Sequence, residues 1–281
     1  MDSTPFRQSP EVTRHEGGQA RVSRVVLTLL VAALVALFLL FVTLPVASLF
    51  LRISPEAFLQ SVAEPVVLDA LSLSLATATV STAIVVLFGT PLALVNARRD
   101  YPGRAIVDTL TDLPIVLPPA VAGLALLMAF GRRGVVGQYL DHFGISIAFT
   151  TVAVILAQVF VASPFYIRQA RASFEAVDRL YEDAARTLGA TPMTVALRVT
   201  IPLAWGGLVS GAILSFARAL GEFGATIMFA GNFQGRTQTM PLAIYTTMQG
   251  DMNAAISLSI ILVVISFAVI SAVKIVTRRK Y

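Results

Sequence analysis

The sequence predicts an all-α polytopic membrane protein of six transmembrane helices. Three observations carry that prediction. Of 281 residues, 56% are hydrophobic and 13% charged, with a mean hydropathy of +0.80, whereas soluble domains average about 45–50% apolar and about 25% charged. Six apolar runs reach the roughly 20 residues that a helix needs to cross a hydrocarbon core of about 30 Å. Lys and Arg, finally, concentrate in alternate connections between those runs.

The first run, 25–50, is too long for a signal-peptide core and lacks a small-residue cleavage site, so it reads as a retained anchor behind a tail of residues 1–24. Residues 66–276 then form a core of five further helices. The second run, 66–95, is rich in Ser72, Ser74, Thr77, Thr79, Ser81 and Thr82. Such residues let helices approach closely, and contact with a solute is the other reading. The third, 113–130, holds Pro114, Pro118, Pro119 and Gly123 near its start. Either the span begins after Pro119, or it is a broken helix lining a pathway. The fourth, 145–167, and the sixth, 252–276, qualify on length and apolarity, and residues 277–281 form the C-terminal tail. The fifth, 203–230, contains Arg218 and Glu222, four apart and so on one helix face. A charged pair in a bilayer is expensive and should face the bundle or an aqueous path. It is read as an internal salt bridge or a gating element more readily than as an anion trap, because pairing moderates the positive charge.

Orientation follows from the basic residues. Of the 21 Lys and Arg, sixteen lie in the N-terminal tail, the second and fourth connections and the C-terminus. Only Arg52, Arg132, Arg133 and Arg236 lie on the other side, and Arg218 is within a span. Both termini are therefore expected in the cytoplasm. This topology explains the pI near 10 without nucleic acid as a partner.

Several chemistries are set aside. With no Cys, disulfides, Fe–S clusters and thiolate metal sites are excluded. His15 and His142 have no second histidine nearby and read as solvated residues. No Ser/His pair, metal cluster or paired carboxylates occur within the spans, which argues against an intramembrane enzyme. A stand-alone secondary transporter would want inverted repeats and several intramembrane acids, and neither is evident.

The most informative segment is YEDAARTLGATPMTVALRVTIP, 181–202. Phe174, Val177, Tyr181, Ala184, Ala185 and Leu188 recur at three and four, with Glu175, Asp178, Arg179, Glu182, Asp183 and Arg186 between them, which predicts one amphipathic helix. Gly189 can end it in the left-handed conformation. Thr191 is a good N-cap, and Pro192 suits the first position of a second short helix running to about Arg198. Pro202 marks the start of the fifth span. Ala190, Thr191 and Thr194 are expected at the tip of this projection.

The same segment resembles the signature loop of permease subunits of ATP-binding-cassette importers: Glu-Ala-Ala, three residues, Gly, nine residues, Ile-x-Leu-Pro. Asp183-Ala184-Ala185, Gly189 and Val199-Thr200-Ile201-Pro202 stand at that spacing. Asp183 replaces the usual Glu, although Glu182 precedes it, and Val199 and Ile201 are apolar replacements. The resemblance implies the type I importer permease fold. It makes segment 172–202, with Glu182, Asp183, Ala184, Ala185, Gly189, Ala190, Thr191, Pro192, Met193, Thr194 and Pro202, the coupling loop that docks on separate ATPase subunits. Those subunits would bind ATP and Mg, since this chain has no GxxxxGK[ST] phosphate loop. Pro118, Pro119, Arg218 and Glu222 become candidates for the pathway or its gate. The segments 113–123, 215–232 and 235–245 resemble molybdate permeases among oxyanion importers, whose relatives carry tungstate and sulfate. By that likeness the chain would pair with a second copy and receive its anion from an extracytoplasmic binding protein.

Overall fold

The structure is a computed structural model that describes residues 12–278, with side chains described from 24 to 271. Tail residues 1–11 and 279–281 lie outside the described residues, as do the side chains of Arg14, His15, Arg21, Lys274 and Arg278. The chain divides into residues 1–52 and 53–281. The first unit holds one helix, α1 (Val12–Leu51), apolar around its circumference from residue 25, as a helix surrounded by lipid is.

The second unit contains α2 (Pro55–Val62), α3 (Pro65–Arg98), α4 (Arg104–Val116), α5 (Pro119–Phe130), α6 (Gly137–His142), α7 (Thr151–Glu175), α8 (Arg179–Thr187) and α9 (Pro192–Val195). A π-turn (Ala196–Thr200) leads from there into α10 (Ile201–Leu220), followed by α11 (Gly224–Ala230), α12 (Met240–Thr247) and α13 (Met252–Arg278). Proline occupies the first position of α2, α3, α5 and α9, where its missing N–H leaves no hydrogen bond unmade. No strand occurs among the described residues.

Among those residues, five helices are long and apolar enough to cross a membrane, and six crossings result if one bent pair counts as a span. That pair is α4 and α5, which meet at 117°. Pro118 and Pro119 remove successive donors and hold Leu117 extended (φ −67°, ψ 130°). The third run is therefore a broken helix. At twelve residues α5 spans about 18 Å, less than a hydrocarbon core. The segment preceding it, expected as a loop, is the helix α4.

The fourth and fifth runs also differ from expectation. The fourth begins at Thr151, where Thr150 caps the helix by accepting from Ala153 N, and it continues past Ile167 to Glu175. Apolarity ends there but helix does not, because Arg168 and Arg171 reach Asp112 (2.6 Å) and Asp108 (2.9 Å) of α4. The fifth run, expected to continue to Ala230, stops at Leu220, and Glu222 Oε1 accepts from Ala225 N (2.7 Å) to start α11. A local side-chain cap has replaced the helical ladder.

The core is built on α7, which packs with α3 and α10 around Ala93, Ala170, Ala204 and Phe174 and with α5 and α11 around Ala122, Ala157 and Ala225. Small residues set these distances. A Cβ on Gly89 would lie 2.9 Å from the ring of Tyr166, whose hydroxyl pairs with Thr90 at 2.6 Å. One on Gly123 would lie 2.6 Å from Met228 Cβ and 2.7 Å from the Ala225 carbonyl. The hydroxyl-rich face of α3 serves packing. Ser81 reaches Gln158 Oε1 (3.0 Å), Gln158 Nε2 donates to Thr77 (3.2 Å), and Ser74 accepts from Met240 N (2.7 Å).

Gly123→Leu should therefore force α5 from α11 at a cost of about 1–3 kcal/mol. In contrast, Gly206→Ala, within α10 and with nothing within 4 Å of its added Cβ, should be neutral or stabilise by up to about 1 kcal/mol. Thermal unfolding in detergent, followed by size-exclusion chromatography, separates the two.

Candidate functional site

At the basic end of the bundle the chain leaves α7, turns through residues 176–178, and builds a two-helix projection before returning as α10. Asp178 starts α8 by accepting from Leu180 N (2.9 Å). Gly189 ends it at φ +86°, with Gly189 N donating to Arg186 O (2.9 Å) and Ala190 N to Ala185 O (3.1 Å). A residue with a side chain is strained in that conformation. Thr191 caps α9, accepting from Thr194 N (3.3 Å) while its hydroxyl pairs with that of Thr194 (2.8 Å).

Two sequence expectations are corrected here. The helix beginning at Phe174 is two helices, with Phe174 buried at the end of α7 and a break before α8. The second short helix is not separate: α9 runs through the π-turn into α10 without interruption. Pro202 lacks an N–H and its ring crowds the carbonyl four residues earlier. One wider turn immediately before it keeps the helix continuous, so Pro202, at the start of α10 as expected, lies within an unbroken helical run from Pro192 to Leu220.

Burial within α8 departs from the pattern, although Phe174 and Val177 are buried and Glu175, Asp178, Arg179, Asp183 and Arg186 exposed as expected. Leu188 is 89% exposed and Met193 68%, with Leu180 and Tyr181 exposed as well, whereas Glu182 is 3% exposed. Glu182 Oε1 accepts from Arg98 Nε (2.9 Å) and from the Thr200 hydroxyl (2.9 Å), and Arg98 also donates to the Val177 carbonyl (3.0 Å). One buried carboxylate thus ties the end of α3, the first turn of α8 and the π-turn. Apolar side chains are outside because the ion pair takes the inside. Asp183, in contrast, is exposed and pairs with Arg186 (2.9 Å). Ala184 is exposed and Ala185 half-buried.

A second polar layer braces the same end. Asn96 donates to Asp108 (2.9 Å) and accepts from the Tyr101 hydroxyl (2.6 Å). Arg171 joins Asp108 to Glu175 (2.8 Å), and Arg104 reaches Asp100, Asp108 and Glu175. Pattern reading missed Arg98, Asn96, Asp108 and Thr200. Arg98 and Glu182 are 84 positions apart, so no helical spacing relates them.

The pathway candidates lie elsewhere. Pro118 and Pro119 form the break between α4 and α5, and Pro119 packs where a Cβ on Gly224 would sit, at 2.4 Å. Arg218 and Glu222 are paired at 2.8 Å, the Arg 28% exposed and the Glu 1%. They do not share a helix face, because Glu222 lies beyond the end of α10, where it also caps α11.

Comparisons with known proteins converge. Residues 85–280 match the family model described as binding-protein-dependent transport system inner membrane component. The chain is 47% identical to the molybdenum transport system permease protein ModB of Mycobacterium tuberculosis over 84% of this chain and 89% of that protein. It is 34% identical to the sulfate transport system permease protein CysT of Salmonella typhimurium, over 83% and 86%. In fold it is similar to a crystal structure of a bacterial alginate ABC transporter in complex with an alginate pentasaccharide-bound periplasmic protein, with a TM-score of 0.69, 16% identity and 98% of both chains covered.

Removing one partner of the buried pair should leave the other charge uncompensated. Glu182→Ala is expected to destabilise the region by about 3–5 kcal/mol and Thr200→Val by about 1 kcal/mol. Hydrogen exchange across 176–200 reads the effect locally, and Asp183→Ala should leave that exchange nearly unchanged.

Proposed function

The chain belongs to the family of binding-protein-dependent transport system inner membrane components, and on that premise we propose that it imports a tetrahedral oxyanion, molybdate, by alternating access driven by a separate ATPase. It is a permease component of an ABC importer, integral to the membrane. The observation that carries the mechanism is the projection at residues 179–195. It offers exposed Leu188 and Met193 to a partner, yet is locked to α3 by Glu182 and continuous with α10. A push on its tip moves two membrane helices as one body.

The parts then have roles. Gly189, Ala190, Thr191, Pro192, Met193 and Thr194 form the docking tip, and Asp183 with Arg186 keeps its flank polar. Glu182 holds the tip to the bundle. ATP and Mg belong to the docked ATPase subunits, and the concentration of Lys and Arg at that end and in the tails supports termini that face the cytoplasm with them. The anion arrives from a periplasmic binding protein, as the alginate transporter's likeness supports, and passes between this chain and a second copy. Arg218, paired with Glu222, serves the gate rather than a resting dianion site, since an unpaired buried cation would hold the anion too firmly to release it. The greater identity to the molybdenum permease than to the sulfate permease supports molybdate. Sulfate or tungstate by the same machine is the second reading.

The test is ATPase activity of the assembled complex with its binding protein. Molybdate should stimulate it more than sulfate, and the reverse order would replace molybdate with sulfate. Gly189→Asp, or deletion of residues 191–195, should leave insertion intact and abolish uptake and ATPase copurification. Normal uptake by either variant would sink the docking role. Reporter fusions should find the C-terminus on the ATPase side.

A further inference from the structure

On the flank of α3 an apolar groove of about 810 Å³ separates that helix from α9 and the π-turn, with Leu87, Pro91 and Leu94 on one wall and Met193, Leu197 and Ile201 on the other. Its two hydroxyls are already engaged: Thr90 with Tyr166 and the Val86 carbonyl, Thr191 with Thr194. Nothing polar is left inside to hold a hydrophilic ligand. The groove shares Leu94, Val95, Pro192 and Ala196 with a smaller cavity of about 140 Å³ whose rim carries Arg98, Arg99 and Arg186.

These arginines are not equivalent. Arg98 is held by Glu182, and Arg186 by Asp183 and Glu182. Arg99 is exposed and has no ion pair among the described residues. Three cations against two carboxylates leave the rim positive. Leu94, Pro91 and Leu87 precede Arg99 by roughly 8 to 18 Å along the helix at about 1.5 Å per residue, close to the depth of one leaflet's hydrocarbon.

We propose that this groove binds one anionic glycerophospholipid from the leaflet at the basic end, with acyl chains between α3 and the α9 wall and its phosphate on Arg99. An apolar slot of leaflet depth beneath an unpaired guanidinium matches that molecule's two halves. Met193 and Leu197 belong to the segment that leads into α10, so an occupied groove braces the projection against α3. That consequence rests on the importer reading, whereas the binding does not.

The chain has a single tryptophan, Trp205, so the full chain carrying Trp205→Phe and Leu87→Trp reports on the groove alone. In vesicles mixing phosphatidylcholine with dibrominated phosphatidylglycerol or dibrominated phosphatidylcholine, quenching should give about fivefold tighter binding of the phosphatidylglycerol. That factor corresponds to about 1 kcal/mol for one surface cation. Arg99→Gln should abolish the preference, and Arg133→Gln, at the other end of the bundle, should keep it. Equal constants for the two lipids would overturn the proposal. Weak quenching by both would overturn it too, since a helix of a second copy would then cover the groove. If Leu87→Trp fails to insert, the lipids copurifying from the same mixed vesicles with the otherwise unaltered chain decide: the ratio of phosphatidylglycerol to phosphatidylcholine should fall about fivefold with Arg99→Gln, and an unchanged ratio would overturn the site. No step involves the ATPase, so failure of the importer reading would leave this result standing.

Discussion

In an apolar medium each break in a helix frees backbone donors that water cannot reach, and this constraint shapes the whole bundle. The chain breaks where a side chain is ready. Ser74 of α3 accepts from Met240 N at the start of α12, Glu222 from Ala225 N at the start of α11, and Thr237 from Phe233 N in the connection between them. Ser74, within α3, thus serves as a terminus of α12, whereas Glu222 and Thr237 act from the connections themselves.

The second consequence is close approach. Lipid gives helices little hydrophobic reason to associate, so contact area and hydrogen bonds decide the packing. Alanine and glycine on α3, α5, α7, α10 and α11 let backbones meet, and Gln158, Ser81 and Thr77 then connect α7 to α3. The short α5 and α11 cannot span alone, but each covers the other against α7. Two fragments too short to cross a bilayer thus form one layer on α7, buried on its inner face at Ala122, Leu126, Ala225 and Phe229.

At the basic end the logic changes from packing to charge. Arg98 and Glu182 are expensive to bury singly, and together with Thr200 and the Val177 carbonyl they satisfy each other's donors and acceptors. This network fixes the angle of a projection that has few apolar contacts of its own. It also leaves Leu188 and Met193 outward, the apolar surface on which the proposed docking of an ATPase rests. The groove beside α9 shares that wall, so its occupant would act on the same joint.

Composition, apolar run length and the alternation of basic residues were enough to establish an all-α membrane protein and the ends of its bundle, because burial in lipid acts on every residue of a span alike. Gly189 and Pro192 were legible for a similar reason: backbone conformation is a local property, and each residue answers it alone. The break at Pro118 and Pro119 was visible as one of two readings. What the tertiary structure decided are the contacts between positions distant in sequence. Helical periodicity put Glu182 outside and Leu188 inside, and a single ion pair to Arg98 reversed both. The fifth run read as one helix until Glu222 capped α11 instead. A buried charge follows its partner rather than its period, and the fold alone brings that partner near.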